Sequence, residues 1–168
     1  FTGSRFALHS SDTVAKQMGY DKKPIDDMLM FHLTFGKSVQ DVSLNAIANL
    51  GYAEMSFPNS VFVGDTVSMT STVIGLKENS NGKSGVVYVH SIGVNQDGAE
   101  VLNFKRCVMV HKKDQTTLSG INEVPTFAKT TPIADVINIP TIKTVDTDAS
   151  GGKYFFEDYV AGERLNHP

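Results

Sequence analysis

The sequence predicts an α+β fold in which one long central helix is wrapped by a curved antiparallel β-sheet. Three observations carry this expectation. Residues 24–42, PIDDMLMFHLTFGKSVQDV, place Met28, Leu29, Met30 and Phe31 in a row, then Leu33, Phe35, Val39 and Val42 at three- and four-residue spacings. A helix on a surface shows one apolar stripe; this one is apolar nearly all round for its first turns and should be enclosed. Residues 66–112 read as three strands, TVSMTSTVIGLKE, KSGVVYVHSIGVN and EVLNFKRCVMVHKK, parted by Asn79-Ser80-Asn81-Gly82 and Gln96-Asp97-Gly98, whose Asn and Gly accept the positive φ of hairpin turns. Strands of about a dozen residues span ~40 Å, which suits a sheet wrapping a helix with its flanking turns.

Taken in order, residues 1–9 form a loop or short turn, and Ser10, Ser11 or Asp12 caps a surface helix over about 11–18 that ends at Gly19. Pro24 suits the first position of the central helix, where its missing N–H has no partner, and Asp26 and Asp27 place negative charge at the positive dipole end. Residues 45–57 alternate loosely, and Gly51 within them suggests a bulge or a close approach by backbone or ligand. A turn-rich link, PNSVFVGD, precedes the first long strand, in which Val67, Met69 and Val73 are expected on the buried face and Ser68, Thr70 and Thr72 on the other. Residues 113–152 change character, with Pro125, Pro132, Pro140 and Gly151-Gly152 and no sustained periodicity. The expected division is therefore a first domain over 1–114, an inter-domain linker over 115–153, and the opening of a second domain over 154–168. Beginning at Phe1 and stopping as a strand resumes, the chain reads as a slice of a longer protein.

Composition limits the function classes. With 168 residues, 40% hydrophobic and 20% charged, the chain can fill one core. A net charge of −3 provides no electrostatic footprint for nucleic acid or an anionic membrane. The single cysteine, Cys107, excludes an internal disulfide framework and a Cys-based zinc cluster, and its apolar strand suggests an inert buried thiol. No segment approaches the ~20 apolar residues of a membrane span, so a cytoplasmic location is the expectation.

A long helix with a long-stranded antiparallel meander is the hot-dog arrangement, and particular residues sharpen this into a family resemblance. His9, Ala15, Gly19 and Tyr20 hold the spacings of the signature around the catalytic histidine of the MaoC-like enoyl-CoA hydratases. Phe57, Pro58, Val61 and Gly64-Asp65-Thr66 look like that family's F-x-x-P-V-x-x-G-D-T stretch with the proline displaced, and FFEDYVAGERL resembles the segment that opens each of its hot-dog domains. GSRFAL, the Pro-Ile-Asp-Asp helix start, FHLTFGK, LNAIANLGYAE, VIGLKENSNGKSGVVYVHS and RCVMVHKKD look like its mesaconyl-CoA hydratase (β-methylmalyl-CoA dehydratase) branch. The resemblance covers residues 1–114 almost continuously and resumes at 154–168. It implies two hot-dog domains in a chain of about twice this length, of which this is the first, lacking its opening strand.

What the resemblance implies is water addition across the double bond of an acyl-CoA thioester, with CoA part of the substrate and no metal or redox cofactor. An Asp and a His five residues apart hold the water and move the protons, while a backbone N–H at a helix N-terminus polarises the thioester oxygen. The His falls on His9, but the Asp falls on Ser4, which is no carboxylate base. The glycine usual at the helix start is replaced by Pro-Ile-Asp-Asp, whose carboxylates would repel an enolate. This half is accordingly expected to be degenerate, with the working dyad outside it and His9 open to a non-catalytic reading as a loop residue. Its task would be to shape the acyl pocket. Asn49, Gly51 and Tyr52 are the candidate lining, with mere sheet curvature the alternative for Gly51, and Arg5 is a candidate for the substrate's free carboxylate. His32 and Phe35 are expected to be packed on the enclosed helix, His90 and His111 to be structural, and Lys83, Lys112 and Lys113 either to meet CoA phosphates or to be solvated. The competing functions are a hot-dog thioesterase, which needs a carboxylate on the central helix such as Asp26 or Asp27, and a non-catalytic acyl-CoA-binding or assembly domain. In each case the exposed sheet edge calls for a sister domain or a second copy.

Overall fold

The computed structural model describes residues 6–130 and 152–166. Residues 24–130 lie in one compact unit and residues 6–23 with 152–166 in another. The larger unit contains helix α3 (Asp27–Ser38), continued by one π-helical turn over Val39–Ser43, and then strands β1 (Ala46–Ser56), β2 (Val67–Glu78), β3 (Ser84–Asn95), β4 (Glu100–His111) and the short β5 (Asn122–Glu123). The sheet order is β1-β4-β3-β2-β5, antiparallel throughout. The three long strands fall where the sequence places them, and the Asn95–Gly98 and Asn79–Gly82 turns close with main-chain bonds of 3.1 and 3.0 Å.

Register assigns the faces. On the inner face, Phe104 opposes Ser91 and Arg106 opposes Val89 and Tyr52; on the outer face, Cys107 opposes Tyr88 and Gly51. β1 shifts register between Asn49 and Gly51, the bulge expected there, and again between Ala53 and Ser56, where Glu54 takes a φ of +52°. The core forms where α3 meets the inner face: Met30 and Phe31 pack with Val61, Val101, Leu102 and Phe104, flanked by Met55, Phe57, Val67 and Met69.

α3 differs from its expected form in start and surroundings. Pro24 and Ile25 are extended, Ile25 N–H donates to the Val61 carbonyl at 2.7 Å, and Asp26 is the N-cap, its Oδ1 accepting from Met28 and Leu29 N–H at 3.0 and 3.1 Å. Ile25 before the cap and Met30 at N4, both at the core, hold the positions of a hydrophobic staple. Nor is the helix enclosed. Met30, Phe31, Thr34 and Ser38 are buried, while Met28, Leu33 and His32 are exposed, because within this unit the sheet covers one side only. The buried hydroxyls are satisfied locally, Thr34 Oγ1 donating to the Met30 and Phe31 carbonyls and Ser38 Oγ to Phe35.

Length explains a second correction. Twelve helical residues span about 18 Å, whereas a strand of that many residues spans about 40 Å. α3 therefore covers Val67 and Met69 but not Val73, which is 58% exposed, and β2 also slips register between Val73 and Gly75.

The described start of the expected linker is bound to the sheet. The Glu78 carboxylate pairs with Lys112 and accepts from Ser119 and Gly120 N–H at 2.7 and 2.8 Å. β5 then pairs with Leu76 and Lys77, Phe127 packs on Tyr88, and Ala128 N–H donates to Glu54, itself paired with Lys105. Residues 119–128 thus form a strap across the outer face. Pro132, Pro140 and Gly151 lie outside the described residues.

In the smaller unit, α1 (Ala7–Ser10) replaces the expected loop. α2 (Asp12–Gln17) is capped by Ser11 Oγ, which accepts from Val14 N–H at 3.3 Å, and it ends at Gly19 with φ +91°. Asp12 closes the following loop by accepting from Lys23 N–H at 2.8 Å.

Two outcomes test the strap. A β-carbon at Gly75 would overlap the Glu123 carbonyl and stand 2.7 Å from Pro125 Cδ. Gly75→Ala is expected to cost about 1–3 kcal/mol in urea unfolding and to speed proteolysis after Lys112, Lys113 or Lys129. The Lys112 amine, followed by Gly120 N–H and Ser119, holds the Glu78 carboxyl down to about 2. Its contribution is complete above the ordinary carboxylate pKa and disappears as pH falls toward 2. Protection of the Ser119 and Gly120 amides, taken relative to their intrinsic exchange rates at each pH, should fall over that range in the wild type, and the fall should be absent in Glu78→Gln, whose strap is already loose.

Candidate functional site

Of the residues proposed from sequence, Ser4 and Arg5 lie outside the described residues. His9 sits half-buried on α1, its ring edge-on to Phe6 at 5.5 Å. Asn49 and Tyr52 are brought together on the exposed flank of β1, Asn49 Nδ2 donating to the Tyr52 hydroxyl at 2.6 Å. Gly51 stands between them in register with the outer face, so the bulge turns both neighbours inward without itself lining the inner surface.

Tyr52 leads into an aromatic cluster. Its ring meets Phe31 at 5.7 Å and Phe35 at 6.1 Å, both edge-on, and Phe104 at 6.0 Å; Phe31 stacks on Phe35 at 5.3 Å. Beneath lies Arg106, wholly buried, its guanidinium carbon 4.8 Å from the Phe35 ring centre and Nη2 donating to Ser38 Oγ at 3.0 Å. Burial lowers its pKa and the adjacent Tyr52 opposes that shift. Its Nε and Nη1 have no hydrogen-bond partner among the described residues. Sequence reasoning missed this residue. The available signal was one arginine in an apolar strand, at the even-numbered register of Phe104 and Val108.

A groove of about 430 Å³ runs between α3 and β2, walled by Met30, Leu33, Val61 and Met69, with Lys37 and Asp65 among its lining residues. Asp65 has structural work, accepting from Phe62 N–H at 2.8 Å and Gln96 Nε2 at 3.2 Å.

At the start of α3, Asp26 already occupies the Met28 and Leu29 N–H groups. Those donors are what a developing thioester enolate would need. On the outer face His90 shares a hydrogen bond with Asn103 Oδ1 at 2.8 Å, and Asn103 Nδ2 donates to Glu100 at 2.8 Å. Lys105 and then Ala128 N–H lower the Glu54 pKa, while burial raises that of Cys107. Lys112, a candidate phosphate contact from sequence, is engaged by Glu78 and the Thr117 carbonyl. No three His, Cys, Asp or Glu side chains gather at metal-binding distances among the described residues, and no helix among them is long and apolar enough to cross a membrane.

The family model described as mesaconyl-CoA hydratase matches residues 6–167. A β-methylmalyl-CoA dehydratase of Chloroflexus aurantiacus is 47% identical over 167 residues, 98% of this chain and 47% of its own length. A mesaconyl-CoA hydratase of Cereibacter sphaeroides is 45% identical over 166 residues, 98% of this chain and 48% of its own. The chain thus spans about half the length of the curated relatives it matches. The crystal structure of a MaoC domain protein from C. aurantiacus superposes with a TM-score of 0.81 at 47% identity, over 96% of this chain and 46% of that one. A Mycobacterium tuberculosis protein with a double hot-dog fold shares the architecture, with a TM-score of 0.61 and 21% identity over 88% of this chain and 44% of its own.

The capping role of Asp26 is directly testable. Asp26→Ala, which leaves the Met28 and Leu29 donors without their carboxylate, should cost about 1 kcal/mol in denaturant unfolding, with Asp26→Asn restoring most of it.

Proposed function

The chain belongs to the mesaconyl-CoA hydratase family, and from that premise we propose that it serves the interconversion of mesaconyl-CoA and β-methylmalyl-CoA by addition and removal of water. In this reading these residues are the half that shapes the acyl pocket, and the proton-moving dyad lies outside them. The observation that carries the activity is similarity to a dehydratase and a hydratase of this substrate pair at 47% and 45% identity over 98% of the chain.

Two features support the division of labour. Ser4 stands where the resemblance calls for a carboxylate. The Met28 and Leu29 N–H groups in the first turn of α3 are also bound by Asp26, so an enolate oxygen approaching them would meet a negative charge instead of free N–H groups. The same engagement weakens a thioesterase reading based on Asp26.

The reaction needs neither metal nor redox chemistry. A base takes a proton from water as its oxygen attacks the β-carbon. The electron pair of the double bond moves to the α-carbon and thioester oxygen, and an acid protonates the α-carbon. The cluster of Phe31, Phe35 and Tyr52 would hold the methyl-branched chain. A second hot-dog domain, in the same polypeptide or in another copy, would cover the exposed Met28 and Leu33. Handling a CoA thioester with a single cysteine, the protein would be cytoplasmic.

The test is to incubate the complete protein with mesaconyl-CoA and follow β-methylmalyl-CoA by mass spectrometry, alongside a His9→Ala variant. Turnover in the wild type that stays within about threefold in the variant is expected. Loss of 100-fold or more, the scale of a missing general acid or base, would return the chemistry to His9. Hydrolysis to free CoA in place of hydration would establish the thioesterase.

A further inference from the structure

We propose that Arg106 binds the free carboxylate of a dicarboxyl acyl thioester and so selects it over a neutral enoyl thioester. The inference rests on the hydratase reading and adds to it the residue that recognises the substrate's second acid group.

An arginine stays charged at any physiological pH, and a charge taken out of water needs a counter-charge or a full set of hydrogen bonds. Arg106 has neither among the described residues. It is wholly buried, one nitrogen donates to Ser38 Oγ, and Nε and Nη1 have no acceptor. Phe35 lies 4.8 Å from the guanidinium carbon, and a cation–π contact recovers only part of the lost hydration. The ion pairs Lys105–Glu54 and Lys112–Glu78 involve other cations. A small anion would complete this set, and a carboxylate matches the guanidinium in charge and in its planar pair of acceptors.

The surroundings suit the rest of such a ligand. Phe35, half-buried beside the exposed Tyr52, offers an apolar wall for a short branched chain. Tyr52, opposite Arg106 in register, is 43% exposed and reaches solvent, with its hydroxyl held by the exposed Asn49. Rotation of that tyrosine out of the aromatic cluster and away from Asn49 is the way in. Removing the Asn49 bond would leave the tyrosine freer to turn. Asn49 and Tyr52 thus gate the arginine as well as lining the pocket.

The experiment compares the complete wild-type protein with Arg106→Met and Arg106→Lys on mesaconyl-CoA and on crotonyl-CoA, which lacks the second carboxylate. The expected result is a fall of roughly 100-fold in the preference for mesaconyl-CoA in Arg106→Met, expressed mainly in KM, with a smaller fall in Arg106→Lys. Equal loss on both thioesters, or a carboxylate of the protein itself found on Arg106 in a crystal of the complete chain, would overturn the proposal in favour of a structural role. An unchanged preference would overturn it in favour of a buried water. If Arg106→Met does not fold, the lysine variant decides by the same ratio. Should the wild type hydrate neither thioester, the hydratase reading fails. Calorimetry with free mesaconate then decides separately: binding lost in the Arg106 variant that folds supports the carboxylate site, and binding that is absent or indifferent to Arg106 overturns it.

Discussion

Phe31 on Phe104 is the contact from which the rest of the larger unit follows. The two rings meet edge-on at 5.4 Å, joining the middle of α3 to the middle of β4, and around them Met30, Leu102 and Val101 exclude water. Burial of that cluster supplies most of what holds helix to sheet, since a helix of this length has little stability alone. It also sets the rotation of α3 about its axis. With Phe31 pointing down, Thr34 and Ser38 point down after it, and their hydroxyls must find partners within the helix or in Arg106. Met28 and Leu33 are correspondingly turned outward.

The two faces of the sheet have different solutions to being covered. The inner face has a helix, which reaches only part of the strand length. The outer face is crossed by the strap, fastened by carboxylates at Glu78 and Glu54 that each serve a lysine and main-chain N–H groups. At Gly75 the strap lies where a β-carbon would stand, and only a residue without a side chain allows it. Val86 and Tyr88, which sit on the outer face, are buried.

These arrangements bear on function through what they use up. Asp26 gives α3 its start and takes from it the donors that an oxyanion would require. Lys112 fastens the strap and is thereby engaged away from phosphate. Arg106 is the reverse case, a strong donor group that the fold buries and leaves mostly unanswered. Asn49 and Tyr52 acquire their interest from lying against it.

The sequence by itself determined the central helix ahead of a sheet, the three long strands and their turns, the Gly51 bulge and the family, because each depends on local chemistry or on phrases long enough to identify a lineage. Asn and Gly in a turn act within four residues, and a dozen-residue alternation needs no knowledge of its partner. Only the tertiary structure decided that, among the described residues, α3 is covered on one side, Val73 is exposed, residues 119–128 cross the sheet and Arg106 has no counter-charge. Each of these depends on which surfaces meet. An apolar helix reads the same whether one sheet or two enclose it, and an arginine in a strand reads the same whether a carboxylate or a phenylalanine lies above it. Asp26 shows the boundary between the two: its charge at a helix start was legible, but its capping of the Met28 and Leu29 N–H groups required Pro24 and Ile25 to stay outside the helix.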